Sequence, residues 1–435
     1  MIISAPSRID EKLFGRNIEV TEARYGLPTK VIYCKKCVIS NQRPNSTNEF
    51  ENSPSETKST IKFESDGVCD ACKLAEKKNL EIDWTRREKE LIELCDKFRR
   101  TDGNYDCIVP GSGGKDSFFA SHVLREEYGM NPLTVTWAPH LYTDWGWRNF
   151  QSWIGSGFDN HLITPNTRVH RILTRLALEK LLHPFQPFIY GQKTVAAKLA
   201  IQLKIPLVFY GENEAEYGNP IAEAATSVRN QRYYAINDLK DVKLAGFQIK
   251  ELVDKFGLSL NDLLPYLPVN PKDMTENSVE VHYLGYYLKW HPQSCYYYAV
   301  EKGGFIASPE RTPGTYSKYN SIDDKVDDLH YYTTGAKFGI GRATYDAAQE
   351  IRSGDITRDE GVALVKKFDH EFPSRFINEL MDYLSIGKDI LRGANTIFEV
   401  PRIDVDYFNS LVDNFRSPHI WYFESDKWYL RTPIS

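Results

Sequence analysis

The sequence predicts an α/β fold built on a parallel sheet, with a small cysteine-bound module ahead of it and a mostly helical region behind. Three observations predict it. Strand-like and helix-like segments alternate from Tyr105 to about Asn213, two CxxC pairs stand near the N-terminus, and helical patterning dominates after Ala343. Alternation of this kind favours a parallel sheet covered on both faces, because each crossover lays a helix over the strands. A chain of 435 residues exceeds one ordinary core. The expected division is an extension (1–30), a metal ribbon (31–75), a linking helix (76–102), a nucleotide domain (103–245) and a C-terminal region (246–435).

Composition narrows the class. Hydrophobic residues make up 41% and charged residues 26% of the chain, as in a globular protein. Lys plus Arg number 54 against 59 Asp plus Glu, a net charge of −5. That balance gives no global attraction to nucleic acid or to an anionic membrane. The opening MIISAPSRIDEKLFG lacks the apolar core of a signal peptide. No run approaches the ~18 apolar residues of a membrane span, so a cytoplasmic protein without membrane insertion is expected.

The seven cysteines are odd in number and clustered, which fits metal binding better than a disulfide framework. Cys34-Lys-Lys-Cys37 and Cys69-Asp-Ala-Cys72 form two knuckles whose four thiolates can surround one structural Zn²⁺. The Asn-, Ser- and Pro-rich stretch between them reads as a loop, and four unliganded surface cysteines are the plain alternative. A redox role is disfavoured because neither pair is expected to open a helix after a strand. Residues 76–101 then place Trp84, Leu91, Ile92, Leu94, Cys95 and Phe98 near helical spacing, an amphipathic linker.

In the nucleotide domain the candidate strands are 105–110, 133–138, 160–163 and 206–211. Helices are expected near 116–128, 147–155, 167–182 and 191–204. Ligands of such sheets bind at the carboxyl ends of the strands. There the first strand runs into Gly111, Ser112, Gly113, Gly114, Lys115, Asp116 and Ser117. Strand, glycine turn and helix together aim backbone N–H groups and a positive helix end at an anion. This is not a Walker A loop, since Val109 and Asp116 stand where Gly and Ser or Thr are required. Lys115 can reach phosphates as a point charge and Asp116 can hold Mg²⁺. Trp137 closes the second strand, and Glu212 and Asn213 follow the last, so all three are assigned to the same end. Glu212 as a simple cap is the bland reading.

Further on, residues 303–341 are rich in Gly, Tyr, Thr and Asp and end in Lys337-Phe338-Gly339-Ile340-Gly341-Arg342. Lys337 and Arg342 read either as a glycine-bounded loop closing over pyrophosphate or as structural charges. Thr357 with Glu360 gives a helix-start signal, and the last residues alternate like a hairpin. Neither a GxSxG elbow nor HExxH is present, which removes serine hydrolases and zincins.

The loop PGSGGKDS resembles the SGG-x-DS pyrophosphate loop of the N-type ATP pyrophosphatases, the PP-loop superfamily. The ordered set CxxC…GVCDAC, PGSGGKDS, VTWAPH, FYGEN, GYYLKW and KFGIGRATYDAAQEIR is similar to the N-acetyl sugar amidotransferases of the WbpG or PseA type. That resemblance runs from about Cys34 to about Phe372. It implies a Rossmann-like domain of the adenine nucleotide alpha hydrolase kind. The implied reaction converts an acetamido group of a bacterial surface sugar, nucleotide-linked, to an acetamidino group. The amide oxygen would take AMP from ATP with Mg²⁺, releasing pyrophosphate, and ammonia would displace AMP. No N-terminal Cys glutaminase is visible, since Met1 is followed by Ile2, so ammonia is expected from a separate glutaminase subunit. The runner-up, a tRNA-thiolating enzyme of the same superfamily, would need further reactive cysteines and a basic face.

Overall fold

A computed structural model describes residues 1–20, 22–46, 49–51 and 58–435. Parts of the inter-knuckle loop, residues 47–48 and 52–57, lie outside the described residues. The centre is a five-stranded sheet of β1 (Cys107–Pro110), β2 (Pro132–Trp137), β3 (Asn160–Ile163), β4 (Leu207–Tyr210) and β5 (Glu280–Tyr283). Its order is β3-β2-β1-β4-β5, and every neighbouring pair is parallel. The four expected strands are present to within two residues at each end. β1, β2 and β4 are almost wholly buried, which is why they read as unbroken apolar runs rather than alternating ones.

β5 is a correction. No strand of this sheet is expected beyond residue 211, yet Glu280–Tyr283 pairs with Leu207–Tyr210 in register. The sheet therefore reaches past residue 245 into the segment expected to be helical.

Helices cover the sheet as expected: α3 (Lys115–Glu126), α4 (Asp144–Gly155), α5 (Thr167–Leu181) and α6 (Gln186–Leu203). Ahead of them the single expected linker is two helices, α1 (Asp70–Leu80) and α2 (Trp84–Phe98). The break falls where Asp83 turns out to cap α2, its carboxylate accepting from the Arg86 N–H at 3.0 Å. Leu91 and Cys95 are fully buried on α2, while Ile92 is exposed.

The C-terminal region is mostly helical, with α7 (Pro292–Gly303), α8 (Asp327–Phe338), α9 (Arg342–Ser353) and α10 (Arg358–Phe368) nearest the site. Thr357 and Glu360 form the expected capping box at the start of α10. Trp421–Glu424 and Lys427–Leu430 form the expected terminal hairpin. No helix among the described residues is long and apolar enough to cross a membrane.

The cysteine module is part of the body rather than an appendage. Cys34, Cys37, Cys69 and Cys72 share one apolar cluster with Ile340, Ala347 and Ala348 around α9, Val362 and Val365 on α10, and Ile434. Burying those side chains removes the module's freedom to swing, since each Ile and Val contributes on the order of 1.5–3 kcal/mol when fully withdrawn from water.

Candidate functional site: a phosphate-loop cavity and a four-cysteine centre

The strand order reverses between β1 and β4, and that is where a parallel sheet opens a crevice at its carboxyl edge. The glycine loop leaves β1 there, and Gly211-Glu212 leaves β4 beside it. Both border a cavity of about 610 Å³. Gly113 adopts φ +86°, and a Cβ on it would lie 2.6 Å from the Phe150 Cα. Only glycine lets the loop turn this tightly against α4. A Cβ on Gly111 would meet the Ser117 Cβ at 2.2 Å, so that glycine serves close packing.

α3 begins at Lys115 with no side chain capping its first turn, which leaves N–H groups directed at the cavity end. Ser112 hydrogen-bonds Asp323 and lines the cavity with Gly113 and Gly114. Lys115 is buried, and its Nζ lies 2.7 and 2.8 Å from the two Asp116 carboxylate oxygens. Burial pulls the Lys115 pKa down, but the carboxylates of Asp116 and Glu212 outweigh it and hold the ammonium charged. Glu212 moves the other way. Burial first, and then the Asp116 charge, push its carboxyl up to about 8. Its Oε2 is buried without a hydrogen-bond partner.

Two other regions complete the wall. Arg43, Ser46, Glu49 and Lys58 come from the inter-knuckle segment of the cysteine module, and His330, Lys337, Arg342 and Gln349 come from α8 and α9. Lys193 on α6 donates to the Ser46 carbonyl at 3.2 Å, and Glu49 pairs with His183 at 3.5 Å. The participation of the cysteine module in this wall was missed, because no spacing rule links residue 46 to residue 193.

The remaining assigned residues divide. Lys115, Asp116, Glu212, Lys337 and Arg342 all line the one cavity, together with Ser112, Gly113 and Gly114. Lys337 and Arg342 are not in a loop, however. Lys337 lies in the last turn of α8 and Arg342 opens α9. The Lys337 Nζ donates to the Leu181 carbonyl at 2.7 Å, and burial holds its pKa well below the usual lysine range. Arg342 pairs with Asp346 at 3.0 Å and stacks over the Tyr331 ring. Neither is a solvent-exposed charge.

Trp137 and Asn213 do not reach the cavity wall. Trp137 is buried with its ring over Gly191 of α6 and edge-on to Tyr266 at 5.4 Å. The last residue of a strand alternates to one face, and Trp137 falls on the packed one. Asn213 caps the short turn at Glu214–Tyr217, accepting from the Ala215 N–H at 2.8 Å. The capping role considered for Glu212 thus belongs to its neighbour. Ser117 braces the loop from behind, accepting from the Gly113 N–H at 3.2 Å and donating to the Gly114 carbonyl at 2.9 Å.

The four-cysteine centre lies apart from these groups. The Sγ atoms of Cys34, Cys37, Cys69 and Cys72 are within 4.8 Å of one another and buried. Cys34 to Cys72 is 3.9 Å and Cys37 to Cys69 is 3.8 Å. A tetrahedron with ~2.3 Å metal–sulfur bonds has sulfur–sulfur edges of about 3.8 Å, so the donor set fits Zn²⁺. Backbone N–H groups of Lys36 and Cys69 point at the Cys34 sulfur at 3.4 and 3.3 Å, and the Arg352 guanidinium lies 3.9 Å from that of Cys37. Such donors offset the charge of a four-thiolate centre. The second knuckle does open a helix, with Cys69 at the N-cap of α1, contrary to expectation. The other two thiols sit within reach, so the helix start belongs to a four-thiol group that could hold a metal rather than to an isolated CxxC pair.

Comparison with known proteins bears on the C-terminal part of this picture. Residues 313–433 match the family described as LPS biosynthesis protein WbpG-like, C-terminal domain. Residues 313–433 are thus similar to that domain. Lys337, Arg342 and Gln349 all fall inside this WbpG-like region, so the match covers one wall of the cavity. It supports a role in LPS or related sugar biosynthesis, and with it an enzyme. An uncharacterized protein of Methanocaldococcus jannaschii is 36% identical over 81 residues, 19% of this chain and 28% of that protein. The chain thus matches under a third of that relative's length.

Proposed function

We propose that this chain is an ATP-dependent, AMP-forming amidotransferase that converts an acetamido group of a bacterial surface sugar to an acetamidino group. The observation that carries the reading is the convergence of the glycine loop, Lys115, Asp116 and Glu212 with a WbpG-like wall on one cavity. A cavity of about 610 Å³ is of the size that takes a nucleotide-scale ligand.

Each residue then has a physical task. The N–H groups of the loop and the first turn of α3 receive the departing pyrophosphate. Lys115, kept charged by its two carboxylate neighbours, neutralises the oxygens that gain charge as the bond to the α-phosphate breaks. Asp116 would hold the Mg²⁺ that accompanies ATP, which supplies further charge neutralisation on the phosphates. Glu212, raised and with its Oε2 free, accepts a proton from incoming ammonia. Zn²⁺ at the four cysteines would have a structural role, because four thiolates leave no open position.

The thiolating alternative loses ground on burial. Cys95, Cys107 and Cys295 are all at or below 1% exposure, and burial pushes the thiols of Cys107 and Cys295 well above the usual range. Such thiols are inert rather than nucleophilic.

Pyrophosphate exchange into ATP should depend on a nucleotide-linked acetamido sugar and should proceed without any nitrogen source. With ammonium salts the product should be an amidine with AMP, whereas glutamine alone should give none until a separate glutaminase is added. Exchange without the sugar, or ADP as product, would sink the proposal. A second expectation concerns pH. At a fixed concentration of unprotonated ammonia, turnover should climb as Glu212 ionises through about pH 8, because only the carboxylate accepts a proton. Glu212→Gln should flatten that limb while sparing pyrophosphate exchange. A climb unchanged in Glu212→Gln would assign the proton to another group.

A further inference from the structure

A second cavity, of about 80 Å³, adjoins the main one on the side of the cysteine module. Its walls include Ala75 and Lys78 of α1, Trp290 and Gln349. Gln349 lines both cavities. The Gln349 Nε2 donates to the Tyr217 hydroxyl at 3.2 Å, and Tyr217 in turn hydrogen-bonds Glu212. The Trp290 ring packs over Gly211, the residue before Glu212.

Two buried polar atoms flank this partition without partners: Trp290 Nε1, a donor, and Glu212 Oε2, an acceptor. Each such orphan costs about 1–3 kcal/mol unless a ligand satisfies it. The small cavity is far too tight for ATP, a sugar or glutamine, but it holds molecules the size of water. Its Lys78 is paired, with Glu216 at 2.8 Å and with the Trp290 carbonyl at 3.2 Å. A site that is small and is bordered by the unpartnered indole N–H of Trp290 suits neutral ammonia, and the unpartnered Glu212 oxygen waits in the main cavity beyond Gln349 and Tyr217. The ammonia lone pair can take the indole N–H, and the Glu212 carboxylate is met only after the Gln349–Tyr217 partition is crossed.

We propose that this small cavity is the ammonia entrance of the chain, and that Gln349 and Tyr217 form the partition ammonia crosses to reach the reacting carbon. The inference rests on the amidotransferase reading. In the step served, the ammonia lone pair forms the C–N bond to the adenylated imidate carbon. One N–H proton passes to the Glu212 carboxylate. The C–O bond then breaks, its electron pair leaves on the phosphate oxygen of AMP, and the amidinium remains. With ATP and sugar filling the large cavity, a side entrance lets the last substrate arrive after them.

Ala75→Phe places a ring in the small cavity, away from the ATP loop. Sugar-dependent pyrophosphate exchange should stay within about two-fold of wild type, while the KM for ammonia should rise by ~10-fold or more. Normal exchange together with an unchanged ammonia KM overturns the inference. Should Ala75→Phe also lose exchange through misfolding, Gln349→Ala decides. Widening the partition should raise the use of methylamine relative to ammonia by ~5-fold or more, and an unchanged ratio overturns the inference. Absence of exchange in the wild-type protein would instead strike at the amidotransferase reading itself.

Discussion

Replacing Lys115 or Asp116 by Ala should cut AMP formation by ~10²-fold or more, equivalent to about 2.7 kcal/mol of transition-state stabilisation. The reason is where the charge sits. Lys115 is buried and faces two carboxylates, Asp116 at 2.7 Å and Glu212 through its field. It is therefore charged before ATP arrives and needs no reorganisation when pyrophosphate leaves. Removing it would take away the charge that lowers the Glu212 pKa, so Glu212, already raised to about 8, would stay protonated beside Asp116 without repulsion. The fold should survive for that reason, with melting temperature and circular dichroism close to wild type. Asp116→Asn should lose nearly as much activity as Asp116→Ala, since an amide is a poor ligand for Mg²⁺. Near-normal turnover in any of these variants would mean that the loop does not bind phosphate.

Losing the metal should be the largest structural perturbation. Purified protein should carry close to one zinc per chain, and strong chelation or Cys69→Ser should unfold residues 31–75. Structural zinc contributes on the order of 10 kcal/mol to small domains of this kind, more than the module's own apolar side chains can replace. The effect should not stop at the module. Its cysteines share a cluster with Ile340, Ala347 and Val362, and its Arg43, Glu49 and Lys58 wall the cavity. Hydrogen exchange should therefore quicken in α9 and α10 as well as in residues 31–75. A metal-free protein with native protection in both places, or an iron–sulfur chromophore, would refute the zinc centre.

Much of the site was legible because it depends on local chemistry. The glycine loop, its lysine and its aspartate are contiguous, and a strand before them with a helix after them fixes where they point. Glu212 was legible for the same reason, one residue past a buried strand. Trp137 and Asn213 were not, because spacing alone does not say which face a terminal residue takes or which neighbour caps a turn. Lys337 and Arg342 line the cavity from helices rather than from the expected loop, since the Gly339–Gly341 turn is short enough to join two helices directly. β5 escaped because four residues of mixed character become a strand only by pairing with β4, and that partnership is non-local. The cysteine module's place in the cavity wall is likewise a contact between distant segments.

The origin of β5 also bears on how the molecule assembles. Residues 211–279 intervene between β4 and β5, although the two strands lie side by side. Parallel pairing across so long a detour closes late, because the entropy of bringing the ends together must be met before any ladder bond forms. The half of the sheet made by β1, β2 and β3 has much shorter crossovers and should form first. For a while the edge of β4 would then stand open, with Leu207, Val208 and Phe209, all fully buried in the finished protein, still wet. An open apolar edge is a template for another chain. Refolding should accordingly be slow and sensitive to protein concentration, with yield falling as the chain is made more concentrated, and the vulnerable interval should end when Glu280–Tyr283 docks.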